Sequence, residues 1–203
     1  MIDSVQQKFK ELRLKHCAEN IESALEQGTQ KNLSPQQIIE RLLDLEIEKR
    51  RQARILLRFK QSKLTEKPTI DQFDFSYHES RKKQKNTILV LMDLVFFSQR
   101  KDVVLIGNPG VGKTLLAKTI AYAATQAGVK TLFSSTMDMI NQLTAAHNSN
   151  ELLKKLKTYQ SPELLVCDET GYLPLGKQGS ILFFQVISAR HVQKSTIITT
   201  NLT

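Results

Sequence analysis

The sequence predicts an α/β fold: a parallel sheet with helices on both faces, preceded by a small all-α N-terminal region. Three observations predict it. From residue 103 onward, short apolar runs rich in Val, Ile and Leu alternate with longer stretches of helical periodicity, the order that builds a parallel sheet through crossover helices. Before residue 70, apolar residues recur at three- to five-residue intervals, as they do on one face of a helix. The first apolar run, Val103-Val104-Leu105-Ile106, enters a helical pattern through the loop Gly107-Asn108-Pro109-Gly110-Val111-Gly112-Lys113-Thr114, a strand-loop-helix junction.

The elements follow in order. Val5, Phe9, Leu12, Cys17, Ile21 and Leu25 mark the first helical stretch, and Gly28 stands where a helix C-cap is expected. A second start is strongly marked: Ser34 is a good N-cap, Pro35 suits the first helical position, Gln37 completes a capping box, and Leu33 with Ile38 suits a hydrophobic staple. That helix carries Ile39, Leu42, Leu43 and Ile47 on one side and runs on through a basic segment in which Ile55, Leu56 and Phe59 remain apolar. Over 65–77 the periodicity fails, Pro68 breaks any helix, and Phe73, Phe75 and Tyr77 alternate with polar residues. This reads as a linker whose aromatics anchor on the domain that follows. Then come a helix over 85–98, strand 103–106, helix 113–127, strand 129–134, helices near 137–146 and 150–159, strand 164–167, a helix near 177–193, and strand 196–200. The expected organisation is a helical region 1–70, a linker 71–84 and an α/β domain 85–203.

With 203 residues, 40% of them apolar, the chain has enough core for one domain and an appendage. The longest apolar stretch, 88–97, is interrupted by Asp93 and too short for a bilayer. The N-terminus carries Asp3, Lys8, Lys10 and Glu11 instead of a secretory apolar core, so a cytoplasmic protein with no membrane partner is expected. Cys17 and Cys167 show neither metal-ligand spacing nor a disulfide framework, and read as buried thiols. His16, His78, His147 and His191 share no metal-like spacing either.

The loop over 107–114 is a P-loop. A triphosphate is held by several backbone N–H groups at the positive end of a helix, and glycines let the backbone approach that closely. Gly107, Asn108, Pro109, Gly110, Val111, Gly112, Lys113, Thr114 and Leu115 are therefore the expected ATP-binding residues, Lys113 reaching the β and γ phosphates and Thr114 offering its hydroxyl to Mg2+. Leu164-Leu165-Val166-Cys167 is a continuous apolar strand ending in Asp168-Glu169. A strand buried on both faces delivers Asp168 to the carboxyl edge of the sheet, where it can hold Mg2+ through water. Glu169 is placed to polarise the attacking water, which favours hydrolysis over transfer to a second substrate. Ser195-Thr196-Ile197-Ile198-Thr199-Thr200 ends in Asn201, a candidate to contact the γ-phosphate and orient that water.

The net charge of +9 is concentrated: between residues 49 and 67 eight cations face the single acid Glu66. Lys49, Arg50, Arg51, Arg54 and Arg58 are spaced along one helix to meet a phosphate backbone, predicting salt-sensitive, non-specific binding to double-stranded DNA. Ion pairing of the same residues with Glu46 and Glu48 is the alternative.

Three stretches together resemble the IstB family of insertion-sequence ATP-binding helpers: the P-loop with its flanks, Leu164-Leu165-Val166-Cys167-Asp168-Glu169-Thr170-Gly171-Tyr172-Leu173-Pro174-Leu175, and Ser195-Thr196-Ile197-Ile198-Thr199-Thr200-Asn201. The family is related to the DnaC helicase loaders within the AAA+ class of P-loop NTPases. The likeness extends to Asn32-Leu33-Ser34-Pro35, the run 46–54 and Phe73-Asp74-Phe75-Ser76-Tyr77, and Gly171-Tyr172-Leu173-Pro174-Leu175 is its most family-specific string. The resemblance implies a protein that binds ATP, forms a homo-oligomer on DNA and helps the transposase of the same element to choose or prepare its target.

Two departures stand out. Relatives often carry acids where this chain has Gly176-Lys177-Gln178. AAA+ proteins also continue into a fifth strand, an arginine finger and a helical lid, which these 203 residues do not contain. In the usual order 5-1-4-3-2, strand 103–106 is therefore expected at an edge, and ATP hydrolysis is expected to be slow or absent. Two other readings stay open: a DnaC-like helicase loader, and a non-hydrolysing remnant acting only by binding DNA or a partner through residues 1–70. A small-molecule kinase is disfavoured by Glu169 and the basic arm.

Overall fold

Four parallel strands, β1 (Val103–Ile106), β2 (Thr131–Ser135), β3 (Leu164–Thr170) and β4 (Ser195–Thr200), pair in the order β1-β4-β3-β2 in the computed structural model, which describes residues 2–171 and 175–201. Ten helices accompany them among the described residues: α1 (Ile2–Glu11), α2 (Lys15–Gln30), α3 (Pro35–Gln61), α4 (Glu79–Lys83), α5 (Lys85–Met92), α6 (Val95–Ser98), α7 (Lys113–Gln126), α8 (Thr136–Asn148), α9 (Leu152–Gln160) and α10 (Gly176–Arg190). None is long and apolar enough to cross a membrane.

Successive side chains along a strand point to opposite faces, and this sheet uses both. Val103, Leu105, Phe133, Leu164, Val166 and Ile197 pack with Leu116, Ala117, Ile120 and Ala124 of α7 and with Leu64, Phe73, Ile88 and Phe96. Leu132, Leu165, Cys167 and Ile198 pack with Met139 and Leu143 of α8, Tyr159 of α9, and Leu182 and Val186 of α10. Each fully buried Leu, Ile or Val contributes about 1.5–3 kcal/mol relative to exposure. β3 is central and buried from Leu164 to Asp168, as its unbroken apolar run predicts. β1 lies at an edge, with Val104 52% and Ile106 58% exposed, as the predicted order requires.

The chain divides into two compact units, Met1–Leu56 and Leu57–Thr203. Residues 57–70 and the predicted linker fall within the second unit because Phe59, Leu64, Phe73 and Phe75 join its core. In the first unit, Cys17, Ile21 and Leu42 form a small core. The capping box is present: the Ser34 N–H donates to Gln37 Oε1 (2.9 Å) and the Gln37 N–H to Ser34 Oγ (3.3 Å). Glu46, 3% exposed, accepts from the backbone N–H groups of His16 (2.7 Å) and Cys17 (3.1 Å) and from Arg50 Nε (2.7 Å).

Four details differ from expectation. Gly28 is not a C-cap but lies within α2, where a Cβ would come 2.4 Å from the Ile38 side chain; it is a close-approach glycine, and Asn32 supplies the positive φ of the turn. The helix expected over 85–98 is two, because Leu94 adopts φ 56°. Tyr77 is 70% exposed and does not anchor as Phe73 does. β3 continues past Cys167 to Thr170 through a register shift against β4.

At the amino end of the sheet, Arg190 is fully buried and closes the starts of β3 and β4. Its guanidinium donates to the carbonyls of Tyr159, Gln160, Pro162, Glu163 and Ser195 and to Thr196 Oγ1, over 2.6–3.4 Å.

Candidate functional site

The carboxyl ends of the strands bring the predicted residues together. Between β1 and α7, Gly110 and Gly112 take φ 82° and 90°, a left-handed conformation that side-chain-bearing residues avoid. At Gly112 a Cβ would also stand 2.6 Å from Arg81 Nη2, the movable end of a side chain, and 3.0 Å from the Phe73 ring. The loop delivers Lys113 to the first position of α7, whose opening turn presents N–H groups without intrahelical partners. Lys113 Nζ donates to the carbonyls of Gly107 (2.7 Å) and Asn108 (2.9 Å), turned back over the loop mouth. Asn108, Pro109 and Gly110 are exposed, Val111 is half-buried, and the Leu115 side chain packs against the core.

Asp168 stands beside this loop at the end of the buried part of β3, 5% exposed. Its Oδ1 accepts from the hydroxyls of Thr114 (3.0 Å) and Thr199 (2.5 Å). Two strands and a helix N-terminus thus converge on one carboxylate oxygen. Glu169 follows in the register shift, exposed and at φ 58°. That backbone costs on the order of 1–3 kcal/mol and persists only where the surroundings hold it; here its N–H donates to Thr199 Oγ1 at 2.9 Å. Burial pushes the neighbouring Cys167 thiol up to about 12, which makes it a packing residue and not a nucleophile. Asn201 lies one residue beyond β4 at the same sheet edge, half-buried.

These residues fit a magnesium nucleotide. A loop turned by two left-handed glycines, a lysine at its mouth, and a hydroxyl within 3.0 Å of a carboxylate make the donor set of a cation that binds one or two protein oxygens and completes its shell with phosphate and water.

Sequence reasoning missed two residues. Arg81 falls in the predicted linker, yet its Nε donates to the Val111 carbonyl (2.8 Å), its Nη1 to the Asp74 carbonyl (2.9 Å), and its guanidinium lies 4.4 Å from the Phe73 ring centroid and 4.8 Å from that of Tyr77. With Phe73, Ile88, Leu91, Leu105 and Val111 it lines a cavity of about 420 Å3 beside the P-loop. Thr199 was passed over for Asn201. No local pattern marks either, since the contacts that place them in the site, Arg81 with Val111 and Thr199 with Asp168 and Glu169, span about thirty residues.

The basic residues are all on α3. Arg50 is tied to Glu46 and donates to the Arg13 carbonyl, and Arg58 donates to the Gly128 carbonyl at 3.1 Å. Arg51 stands 4.0 Å from Glu48, both exposed, so the pairing with Glu46 and Glu48 is present. Lys49, Arg51 and Arg54 present exposed side chains. Tyr172, Leu173 and Pro174 of the family-specific string lie outside the described residues.

Comparison with known proteins places these features in context. Residues 7–203 match the family described as IstB-like ATP binding protein. The chain is 35% identical to a protein of Bacillus thuringiensis subsp. berliner named as an ATP-binding protein of insertion sequence IS232, over 94% of this chain and 76% of that one. It is also 35% identical to one of insertion sequence IS5376 from Geobacillus stearothermophilus, covering 94% and 75%. Among solved structures, the DnaC helicase loader shares 30% identity with a TM-score of 0.59, over 66% of this chain and 77% of that one. A DNA replication initiation factor at 19% identity and TM-score 0.59 shares the fold, and this chain spans 43% of its length.

Proposed function

This chain belongs to the family of IstB-like ATP-binding proteins, and on that footing we propose that it is the ATP-binding helper of an insertion sequence. In this reading it binds Mg2+ and ATP on the carboxyl edge of its sheet, assembles as a homo-oligomer on double-stranded DNA, and assists the transposase of the same element in target selection. The observation that carries the nucleotide reading is the convergence of the Thr114 hydroxyl and the Asp168 carboxylate, 3.0 Å apart, beside a glycine-lined loop.

Lys113 exchanges its two loop carbonyls for the β and γ phosphates, and the N–H groups of the loop and the first turn of α7 hold the remaining phosphate oxygens. The cavity beside Arg81 and Phe73 receives the base. Thr114 and Asp168 would hold Mg2+, which would supply charge neutralisation at the phosphates. In whatever slow hydrolysis occurs, Glu169 would accept a proton from the water attacking the γ-phosphate as the bond to the ADP oxygen breaks, and Asn201 would orient that water. DNA is met by Lys49, Arg51 and Arg54, with Arg50 and Arg58 reaching it only by leaving their internal partners, so affinity falls steeply with salt.

Calorimetry tests the nucleotide reading: the protein takes up ATP in the presence of Mg2+, and Lys113→Ala weakens it roughly ten- to a hundredfold, the value of a charge-assisted contact. A folded wild-type protein that takes up neither ATP nor ADP sinks the proposal. The 30% identity to the DnaC helicase loader supports a second reading, loading of a helicase; co-purification with the element's transposase, and not with a replicative helicase, separates the two.

A further inference from the structure

Thr199 lies on β4, 1% exposed, where the β3–β4 register shifts between Cys167 and Thr170. Its hydroxyl has one hydrogen, and the N–H of Glu169 is necessarily a donor, so the polarity of the network is settled: Glu169 N–H donates to Thr199 Oγ1, and Thr199 Oγ1 donates to Asp168 Oδ1. Thr114 donates to the same Oδ1, which leaves the lone pairs of its own oxygen for a cation. In the shifted stretch the side chain of Thr199 replaces a ladder partner for Glu169 and so supports a residue held at φ 58°. One hydroxyl therefore sets both the rotamer of the metal-binding acid and the backbone of the acid after it.

We propose that Thr199 is a positioning residue for the cation site: acting through Asp168 and Glu169, it makes nucleotide binding depend on Mg2+. The inference rests on the Mg2+–ATP reading above. Outer partners of metal ligands typically change metal affinity about ten- to a hundredfold, and a buried hydroxyl bonded to the ligating carboxylate is such a partner.

The test compares ATP affinity with Mg2+ and with EDTA in wild type, Thr199→Val and Thr199→Ser, alongside thermal unfolding. Wild type gains affinity from Mg2+. Thr199→Val, nearly isosteric, loses about tenfold or more of that gain with its metal-free ATP affinity unchanged, and Thr199→Ser, which keeps the hydroxyl, recovers it. Should the valine variant not fold, Thr199→Cys carries the same measurement with a weaker donor. A folded Val or Cys variant that keeps the full Mg2+ gain overturns the inference alone, as does a serine variant that loses it. A wild type with no Mg2+ gain overturns the nucleotide reading and this inference together.

Discussion

At the amino end of the sheet Arg190 is wholly buried, and at the carboxyl end Asp168 is buried almost as deeply, yet the fold treats the two charges in opposite ways. Among the described residues no carboxylate is hydrogen-bonded to Arg190, although Asp102 acts on it electrostatically; five carbonyls and a hydroxyl take up its fork. Burial lowers its pKa to about 10, still far above neutrality, so it stays charged with its donors satisfied. Asp168 receives two hydroxyls, both on Oδ1. A saturated buried charge stabilises and has little left for a ligand, whereas one held by a few neutral donors is poised to attract a cation. Saturation, more than burial, separates the structural end of the sheet from its working end.

The sharpest way to break this comparison is Arg190→Met. It leaves several buried carbonyls without donors and is expected to lower stability by about 3–5 kcal/mol in urea denaturation; a loss under about 1 kcal/mol would refute the structural assignment. Arg190→Lys recovers only part, because an ammonium lacks the planar fork. Asp168→Asn should behave in the reverse sense. Its stability stays within about 1 kcal/mol of wild type, while the Mg2+-dependent gain in ATP affinity, read by calorimetry, falls about ten- to a hundredfold.

Glu46 sharpens the rule with a third buried charge. Burial alone would raise its pKa, but the N–H groups of Cys17 and His16 and the Arg50 guanidinium outweigh it and hold the carboxyl below the ordinary 4.5. A depressed carboxylate stabilises the folded state above its unfolded pKa, and that contribution is lost as pH falls through the lower folded value. Acidification below about pH 4.5 should therefore loosen residues 15–50 in amide exchange. Glu46→Gln should remove that pH dependence and cost about 1–3 kcal/mol at neutral pH. The smallest effect is expected at Arg81, half-buried and shared between two carbonyls and two rings. Arg81→Ala weakens ATP binding about three- to tenfold, with little change in melting temperature; equal affinity in the two proteins would remove Arg81 from the site.

What was legible in the chain followed from contiguity. The capping box at Ser34 and Gln37, the glycines of the P-loop and the buried run ending in Asp168 each place their determining residues within a few positions, and each is present as read. Gly28 was misread because its reason is Ile38 across a turn, and Leu94 because the one polar interruption of the run 88–97, Asp93, does not by itself announce a left-handed residue after it. Arg81 looked like one cation in a basic cluster, and only folding sets it against Val111.

By itself, then, the sequence determined the order of the strands, the phosphate loop and the acid that faces it, because local periodicity and short motifs encode backbone conformation directly. Tertiary structure alone decided which buried charges are saturated, which threonine orients Asp168 and which arginine braces the P-loop. Those choices depend on donor and acceptor counts between segments about thirty residues apart, which form only when the sheet closes and water is excluded.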